Sequence, residues 1–492
     1  MSSARPVSGA RPVSGARPVS GARPVSGDRP VSGDRRPAVV WFCDDLRVAD
    51  NPALDAAARS GRPVLCVYLW DDVSPGLRPP GGAARWWLHH SLVALDAELR
   101  ERGARLLVRR GAAETQLQAL TSEVDAAALF WNRRYGGVER RLDAMVKSAA
   151  REAGIDAQSF GANLLFEPWT IRTRSGTAFS VFTPFWRACL SSATPRKPLA
   201  APDDLRAAVR PDGLRIDDLA LLPTRPDWAG GLRDTWEPGE RAAHTDLTSF
   251  VADELARYRE DRDAPGIDAT SRLSPRLRWG ELSPHQVWHA VSTARDRDRG
   301  LADSAAVFLS ELGWREFAVH TLFEHPDLAT VNIHRQYDSF PWPRLHPTVL
   351  SAWQQGRTGI PLVDAGMREL WTTGTMHNRV RMVTASFLTK NLLIDWRRGE
   401  QWFWDTLVDA DPASNPFNWQ WVAGSGADAA PYFRVFNPEL QRTKFDPHGD
   451  YVRRWVPERD SDDYPEPVVD LAETRHAALA AYDTVKRSAQ RA

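Results

Sequence analysis

The residues best suited to chemistry lie in one basic, tryptophan-rich segment, residues 376–421. If its first part is a helix, Asn378, Arg381 and Met382 are three and four residues apart and share one face. An amide, a guanidinium and a soft apolar group side by side are more typical of a binding site than of a core seam. The segment therefore predicts one wall of a pocket.

The same segment continues into a loop that carries Asp409, Asp411 and Asn415. Side chains of this kind bind ligands and also fix turns through the backbone. Asp409 and Asp411 could form a metal site, but no His or Cys lies nearby and the acids are few for Ca²⁺. We prefer a bidentate pair between one of these carboxylates and Arg381, because such a pair fixes geometry.

A second constellation, Glu311, Trp314 and Arg315, has the same helical spacing. It would present a carboxylate, an indole and a guanidinium together, which suits a ligand site. The alternative is an ion pair between Glu311 and Arg315 within the helix, with Trp314 over the core. On this motif alone, the alternative is the preferred interpretation.

Hydroxyl groups form a third and weaker candidate. Tyr258, Thr270, Ser271 and Ser274 could cradle phosphates near the start of a helix, or could simply cap it. The 12 His form no spaced ligand set, and no Ser-His-Asp arrangement or nucleophile elbow is visible, so hydrolytic chemistry is unsupported. Of the 21 Trp, most are expected in cores, while those beside Arg, Asn or Asp could stack on flat ligands.

Two domains would position these residues. Between residues 37 and 165, short apolar runs alternate with helical patterns such as residues 85–102, which predicts an α/β domain with a parallel, doubly wound sheet. Because no GxGxxG follows the first strand, an ordinary dinucleotide-binding fold is not supported. The predicted strands are residues 38–42, 64–70, 106–108, 126–131 and 155–160.

The second domain, residues 239–475, is predicted to be all helical. Ser283 followed by Pro284 is a good N-cap and first helical residue. Gly374 is placed to end a helix that starts near Pro361.

Three segments lie outside these domains: residues 1–36, 166–238 and 476–492. The first repeats ARPVSG and then DRPVSG, and is predicted to be a disordered tail because it cannot bury enough surface to offset its ordering entropy. The second is rich in Pro, Asp and Arg and is predicted to connect the domains. The third is charged and is predicted to be a C-terminal tail, as a short helix or loose chain.

Bulk composition is that of a soluble protein of two or three domains, with 492 residues, 42% apolar and 26% charged. No apolar run is long enough to cross a membrane, and the first residues lack the apolar core of a signal peptide. Cys43, Cys66 and Cys189 are too widely spaced for a disulfide framework or a metal cluster, so a reducing cytoplasm is expected. The zero net charge still allows a local basic face.

Six motifs resemble the photolyase/cryptochrome family, and most closely its class I cyclobutane pyrimidine dimer (CPD) photolyases. The resemblance covers about residues 37–460, in order. The motifs are WFCDDLRVADNPAL, LLFEPWTIRTRSGTAFSVFTPFWRA, ATSRLSPRLRWGELSP, ELGWREF, MHNRVRMVTASFLTKNLLIDW and DADPASNPFNWQWVAGSGADAAPYFRVFNP.

This resemblance implies an FAD, active as FADH⁻, buried in the helical domain beneath a cavity that receives a flipped-out dimer. Tyr258 and residues 270–274 would hold the phosphates. Arg381 and residues 409–411 would grip the isoalloxazine and ribose, with Asn415 beside the reactive flavin nitrogen. The amide of Asn415 can accept or donate a hydrogen bond, so it suits several flavin forms. The matching positions are Tyr258, Thr270 to Ser274 (Thr270, Ser271, Arg272, Leu273, Ser274), Arg381, Asp409, Ala410, Asp411 and Asn415.

The resemblance also implies a lesion pocket and a DNA-binding surface. Indoles would stack on the flipped bases, while Glu311 and Asn378 would hydrogen-bond base edges. Contacts to DNA are expected to be salt-sensitive and largely independent of sequence. The pocket matches at Glu311, Trp314, Asn378, Met382 and Trp419, with Asn415 as a further catalytic position. The DNA contacts match at Arg262, Glu311, Trp314, Arg315, Asn378, Arg379 and Gln441.

Trp396, Trp342 and Trp419 match the family's electron-transfer chain, with Trp342 as the outer member. The alternative for each is ordinary core packing. The implied reaction is light-driven: excited FADH⁻ donates an electron to the dimer, the two ring bonds break, and the electron returns.

Three departures from the family pattern stand out. Cys43-Asp44 replace two Arg, and Gly136-Gly137-Val138 replace bulkier or polar residues beside Glu139, in stretches that line an antenna chromophore. Of the possible antennas (deazaflavin, folate or flavin), they disfavour folate and leave a deazaflavin, another flavin or none. Thr375 stands where Trp is usual, which predicts altered packing on the flavin side.

We therefore expect a bacterial-type cytoplasmic repair enzyme that is monomeric and binds UV-damaged DNA at the nucleoid, with no membrane partner. One rival is a blue-light cryptochrome-type photoreceptor, whose usual long signalling extension is absent from this sequence. The other is a non-catalytic binder of damaged DNA, for which loss of Asn415 or of the aromatic pocket would be expected.

Overall fold

The computed structural model describes residues 35–429 and 434–489. The predicted disordered tail is residues 1–36. All but its last two residues lie outside the described residues.

The first folded layer is a sheet of five parallel strands in the order β3-β2-β1-β4-β5. Strand β1 lies between β2 and β4, with Ala38 opposite Val64 on one side and Ala128 on the other. All five strands match the predicted runs within a few residues. Strands β1 to β4 begin with apolar, buried residues, whereas β5 is largely polar. They are β1 Ala38–Phe42, β2 Val64–Trp70, β3 Leu106–Arg110, β4 Ala128–Asn132 and β5 Asp156–Phe160.

Helices cover both faces of this sheet. Val40 and Phe42 point into one core with α1 and α2, while Val39 and Trp41 point into the other with α3 and α4. The alternation follows from the two-residue period of a strand, and it confirms the predicted doubly wound α/β domain. The helices are α1 Pro52–Arg59, α2 Gly82–Glu101, α3 Ala113–Glu123 and α4 Gly137–Glu152.

The segment from residue 166 to residue 238 packs against both domains. It contains α5 Phe182–Ser192 and α6 Gly230–Thr235. Phe185 of α5 is buried in the helical domain's core, whereas Ala207 and Leu214 form single bridges with strands β2 and β3.

The second domain is helical, as predicted. The Ser283 side chain accepts a hydrogen bond from the Gln286 N–H and so caps α10, and Gly374 ends α13 in the left-handed conformation (φ 67°). The helices are α7 Glu240–Ser249, α8 Tyr258–Asp261, α9 Ser274–Arg278, α10 Pro284–Arg297, α11 Ala302–Glu324, α12 Pro347–Gln354, α13 Pro361–Thr373, α14 Asn378–Ser386, α15 Trp396–Thr406, α16 Ser414–Ala423, α17 Pro438–Phe445, α18 Asp450–Trp455 and α19 Leu471–Ala489.

The last helix, α19, includes most of the stretch predicted as a short helix or loose tail. Its Tyr482 stacks on Tyr337, with ring centroids 6.3 Å apart, and joins a small apolar cluster with Phe340. Among the helices described, none combines the length and apolar character needed to cross a lipid bilayer.

Candidate active site

One cavity of about 460 Å³ in the helical domain gathers most of the predicted site residues. Helices α9, α11, α14, α15 and α16 and the loop before α16 form its walls. The predicted residues that line it are Tyr258, Ser271, Leu273, Ser274, Glu311, Trp314, Arg315, Asn378, Arg381, Met382, Asp409, Asp411, Asn415 and Trp419.

Helix α14 supplies the wall that the spacing of Asn378, Arg381 and Met382 predicted, since all three line the cavity. His377 caps the start of the helix, because its Nδ1 accepts a hydrogen bond from the Arg379 N–H at 3.2 Å. Burial lowers the pKa of His377 to about 4, so the ring is neutral and can accept at neutral pH.

Asp409 is held from two sides. Arg381 donates from Nη2 to Oδ2 (3.0 Å) and from Nη1 to Oδ1 (3.2 Å), and the Ser274 hydroxyl donates to Oδ2 at 2.6 Å. The predicted bidentate pair is thereby confirmed. Within residues 35–429 and 434–489, no cluster of three or more His, Cys, Asp or Glu is arranged to hold a metal ion.

The loop before α16 is fixed by its own backbone. Asp411 accepts hydrogen bonds from the N–H groups of Ala413 (2.8 Å) and Ser414 (2.6 Å). The Ala410 carbonyl accepts from Nε of Arg278 at 2.8 Å. The side chains of Asp409 and Asp411 are thus presented to the cavity from a rigid turn.

Asn415 has both amide hydrogens directed at one residue. Its Nδ2 donates to the Glu400 carboxylate (Oε1, 2.9 Å) and to the Glu400 carbonyl (3.1 Å). Glu400 in turn accepts two hydrogen bonds from Arg78 of the α/β domain. The Asn415 carbonyl oxygen is therefore the polar atom that the amide can offer to a ligand.

Glu311 pairs with Arg262 (2.6 Å between Oε1 and Nη1) and not with Arg315. The ion pair within the helix, preferred on the motif alone, is wrong. Arg315 instead donates to the Asn163 carbonyl at 2.8 Å and links α11 to the end of the α/β domain. The sequence could not show this because residue 262 is far from residue 311 along the chain.

Trp314 stacks on Phe182, with ring centroids 3.8 Å apart and planes 12° from parallel. It also packs against the core of the helical domain while it lines the cavity. One face of the indole is thus supported by an aromatic ring, which suits stacking on a flat ligand.

The predicted DNA contacts that lie beyond the lining residues are close to one another. Arg379 forms an ion pair with Asp263 (2.6 Å), next to Arg262 in the chain. Its guanidinium lies 4.5 Å from the ring centre of Phe445 on α17, the helix that carries Gln441. The buried Gln441 Oε1 has no hydrogen-bond partner among the described residues.

Three predicted cofactor residues do not line the cavity: Thr270, Arg272 and Ala410. Arg272 has a positive φ of 53°, and its guanidinium lies 4.5 Å from the ring centre of Trp236. The helix that follows, α9, has only five residues.

The three predicted electron-transfer tryptophans belong to or pack against one apolar cluster. Trp419 lines the cavity, and its ring lies 5.0 Å from that of Phe403. The Trp396 indole N–H donates to Asn332 Oδ1 at 3.0 Å. Trp342 is half-buried beside Phe340, with ring centroids 4.2 Å apart.

The positions that depart from the family pattern have structural roles. Asp44 forms an ion pair with Arg278 across the two domains (2.9 Å). A Cβ at Gly137 would lie 2.5 Å from Pro326, so this close approach requires glycine. The Thr375 hydroxyl accepts a hydrogen bond from Arg381 at 3.3 Å.

Glu400 and Arg78 also belong to the site, although no sequence motif singled them out. Glu400 is one of few acids in the basic segment, and lies four residues after Trp396 on α15, on its buried side. An isolated acid on an apolar helix face is a signal that could have drawn notice. Arg78 offers no such signal.

The lining residues suit a flavin dinucleotide. The apolar wall of Phe403, Leu407 and Trp419 fits a planar ring system, and the paired Arg381 and Asp409 offer donors and acceptors for its polar edge. The hydroxyls of Ser271 and Ser274 border the same space. Together with the α/β domain, this arrangement defines a two-domain flavoprotein.

Comparison with known proteins also indicates a two-domain flavoprotein. The family model for DNA photolyase matches residues 38–203, and that for the FAD binding domain of DNA photolyase matches residues 308–461. A deoxyribodipyrimidine photo-lyase of Agrobacterium fabrum is 47% identical over 92% of this chain and 98% of that protein. Cryptochrome-1 of Arabidopsis thaliana is 38% identical over 86% of this chain and 63% of that protein.

A crystal structure of a bacterial class III photolyase from Agrobacterium tumefaciens superposes with a TM-score of 0.88 at 47% identity, covering 93% of this chain and 99% of the other. The chain therefore belongs to the photolyase/cryptochrome family and has both domains of a DNA photolyase, of which the C-terminal one is the FAD binding domain. This relative is a class III photolyase, whereas the sequence motifs most resemble class I photolyases.

Proposed function

We propose that this photolyase repairs cyclobutane pyrimidine dimers in DNA, using light absorbed by reduced FAD. The observation that carries the proposal is that one cavity holds two sets of groups. Arg381, Asp409 and Asn415 form a flavin clamp, while Glu311 and Trp314 of α11 face the same space. Helix α14 contributes to both sets.

Bound and reduced, FAD would supply an electron on excitation and take it back once the two carbon–carbon bonds that join the pyrimidines have broken, so the repair has no net redox change. The protein's task is to bind, orient and keep the site dry. Arg381 would bind the cofactor from a position fixed by Asp409 and Ser274. Asn415 would accept a hydrogen bond from it through Oδ1.

Four residues would hold the flipped-out dimer. Trp314, supported from behind by Phe182, would stack on a base. Glu311 and Asn378 would hydrogen-bond base edges, and Met382 would fill the remaining apolar space. Because Glu311 is ion-paired with Arg262, its carboxylate is held ready as an acceptor.

DNA phosphates would be bound by Arg262 and Arg379, with Arg315 and Gln441 nearby. Both of the first two are already paired with carboxylates, Glu311 and Asp263. Each Arg would either exchange its carboxylate for a phosphate or share its donors between the two. These contacts would therefore add modest affinity for DNA and strong salt dependence.

The antenna is a separate proposal. Neither Cys43 nor Asp44 carries the positive charge that two Arg would supply at this place, and Asp44 is paired with Arg278. We propose a deazaflavin or another flavin over a folate. Extraction and chromatography of the bound chromophores would identify it, and a recovered folate would contradict the proposal.

The test incubates the purified protein, with FAD confirmed bound and reduced, with a single-stranded oligonucleotide that contains one cyclobutane dimer. Blue light is expected to remove the dimer, and darkness to leave it. Equal dimer content in both samples would contradict repair. A parallel sample with a (6-4) photoproduct tests lesion choice, and is expected to stay unrepaired.

A matched pair of variants on α11 locates the site. Glu311→Ala is expected to slow repair at least tenfold while FAD stays bound, since a charge-assisted hydrogen bond to a buried base is worth about 1.5–3 kcal/mol. Asp303→Ala removes an exposed carboxylate at the start of the same helix, paired with Arg259. It is expected to leave repair unchanged.

The likeness to a plant cryptochrome supports one alternative, a photoreceptor with the same FAD fold. The repair assay separates the two functions, because a receptor would change the absorption spectrum of its flavin in light yet leave the dimer intact.

A further inference from the structure

A chain of hydrogen bonds runs from the α/β domain to the flavin-facing amide. Arg78, in the loop between β2 and α2, donates from Nη1 to Oε1 of Glu400 (2.7 Å) and from Nη2 to Oε2 (2.9 Å). The same Oε1 accepts from Nδ2 of Asn415 at 2.9 Å. Residues more than 300 positions apart are thereby joined through one carboxylate.

We propose that Arg78 is a positioning residue that fixes, through Glu400, which end of the Asn415 amide faces the flavin. The inference rests on the proposed placement of Asn415 beside the reactive flavin nitrogen. In this way the α/β domain determines whether an acceptor or a donor faces the flavin at that position. It does so although it contributes no residue to the cavity lining.

The orientation follows from donor and acceptor counts. An amide has two N–H donors on one atom and an acceptor oxygen on the other. Glu400 accepts at two points, its carboxylate and its carbonyl, and both lie within hydrogen-bond distance of Nδ2. Oδ1 of Asn415 therefore faces the cavity. An acceptor there favours a flavin whose nitrogen carries a hydrogen, as the reduced cofactor's does.

Arg78 balances the charge of the Glu400 carboxylate and fixes its orientation. The Glu400 side chain is 2% exposed, and a buried carboxylate without a cation is costly. Without Arg78, the carboxylate would lose the two donors that hold it beside Nδ2 of Asn415. Asn415 could then turn its N–H groups to the cavity.

Arg78 is itself held in place. Its guanidinium lies 4.0 Å from the ring centre of Trp404, whose indole N–H donates to the Pro79 carbonyl at 2.9 Å. A Cβ at Gly81 would lie 2.2 Å from the Trp404 carbonyl oxygen, so the loop approaches α15 as closely as glycine allows. The contact is thus built into the domain interface and is not a mobile surface pair.

The test is a redox titration of bound FAD in the full-length protein. Arg78→Gln is expected to shift the midpoint potential to a more negative value, because the reduced cofactor loses its acceptor. Arg78→Lys keeps the charge and is expected to retain most of the wild-type potential. The matched control Arg110→Gln, which breaks the exposed pair with Asp72 in the same domain, is expected to leave the potential unchanged.

A double-mutant cycle shows whether the effect passes through Glu400. In a Glu400→Gln background, Arg78→Gln is expected to add no further shift. A full additional shift, or a wild-type potential in both Arg78 variants, would overturn the inference. If Arg78→Gln fails to retain FAD, Glu400→Gln alone decides, and a wild-type potential in that variant would overturn the inference.

Asn415→Ala separates this inference from the proposed function. A shifted potential in Asn415→Ala with none in the Arg78 variants overturns the role of Arg78 alone. No shift in Asn415→Ala removes Asn415 from the flavin nitrogen and overturns the inference together with that part of the proposed function.

Discussion

Two clusters of buried Asp, Asn and Arg side chains differ in what they leave unbonded. In the α/β domain, Asn132 donates to Asp45 (2.6 Å) and to Asn51 (2.8 Å), and Arg47 donates to the carbonyls of Asp50, Ala162 and Gly280. These groups satisfy one another. In the helical domain, residues of the same types are bonded on one side and face a cavity on the other.

The difference shows that the two domains have different roles. Open parallel sheets bind ligands at the carboxyl ends of their strands, where the strand order reverses. Here that edge, between β1 and β4, is filled by the chain's own side chains, and Arg47 reaches across to Gly280 of the helical domain. The α/β domain thus uses its usual ligand-binding edge for docking.

The largest expected effect follows from breaking the hydrogen-bonded cluster of the α/β domain. Arg47→Met removes a fully buried guanidinium and leaves its acceptors without a donor. The free energy of unfolding is expected to fall by about 3–5 kcal/mol, measured by denaturant titration. The matched control Arg59→Met, which breaks an exposed pair with Asp55, is expected to change it by less than about 0.5 kcal/mol. Similar losses in both variants would erase the distinction.

A pH-dependent effect is expected where the two domains meet. Glu316 of α11 is fully buried and accepts hydrogen bonds from the N–H groups of Leu165 (2.9 Å) and Phe166 (3.1 Å). Burial raises its pKa from 4.5 to about 7. Between those two values the folded protein binds more protons than the unfolded chain, so stability is lost as the pH rises through this window.

Glu316→Gln removes that titration. The difference in unfolding free energy between variant and wild type is expected to change by about 1–3 kcal/mol between pH 4.5 and pH 7, in favour of the variant at the higher pH. Unfolding measured at both values checks it. A difference that is constant with pH would show that Glu316 does not titrate there.

Substitutions in the cluster that faces the cavity of the helical domain are expected to change ligand binding instead. Asp409→Asn keeps the shape of the side chain but weakens its hold on Arg381, so the Kd for FAD is expected to rise about tenfold, which corresponds to about 1.4 kcal/mol. Flavin retained after dialysis provides the measurement. Asp395→Asn, which weakens the half-buried pair with Arg397, serves as control. Unchanged FAD affinity in Asp409→Asn would contradict the flavin clamp.

Local signals carried most of what the sequence predicted correctly. The strand cores, the Ser283 cap and the helix end at Gly374 each depend on neighbouring residues, and so does the shared face of Asn378, Arg381 and Met382. Even the Arg381–Asp409 pair could be inferred from two adjacent elements.

Contacts between distant segments could not be predicted in this way. The partner of Glu311 is Arg262, and that of Glu400 is Arg78, because tertiary packing brings these residues together and no local pattern records it. The spacing of residues along a helix shows which of them share a face, but not which residues of other elements contact that face.

A smaller effect is expected in the apolar cluster beside the cavity. Trp342→Phe keeps the packing of a half-buried ring yet is harder to oxidise, so photoreduction of oxidised flavin is expected to slow several-fold. Repair by enzyme whose flavin has been reduced chemically is expected to stay unchanged. Unaltered photoreduction in Trp342→Phe would place the electron path elsewhere.

The central claim is that flavin and lesion share one cavity in the helical domain. The excited-state lifetime of bound, reduced FAD tests it most directly, since electron transfer needs the dimer close to the flavin. The lifetime is expected to shorten when a dimer-containing oligonucleotide binds, and to stay the same with an undamaged oligonucleotide of the same sequence. An unchanged lifetime with the damaged DNA fully bound would contradict the claim.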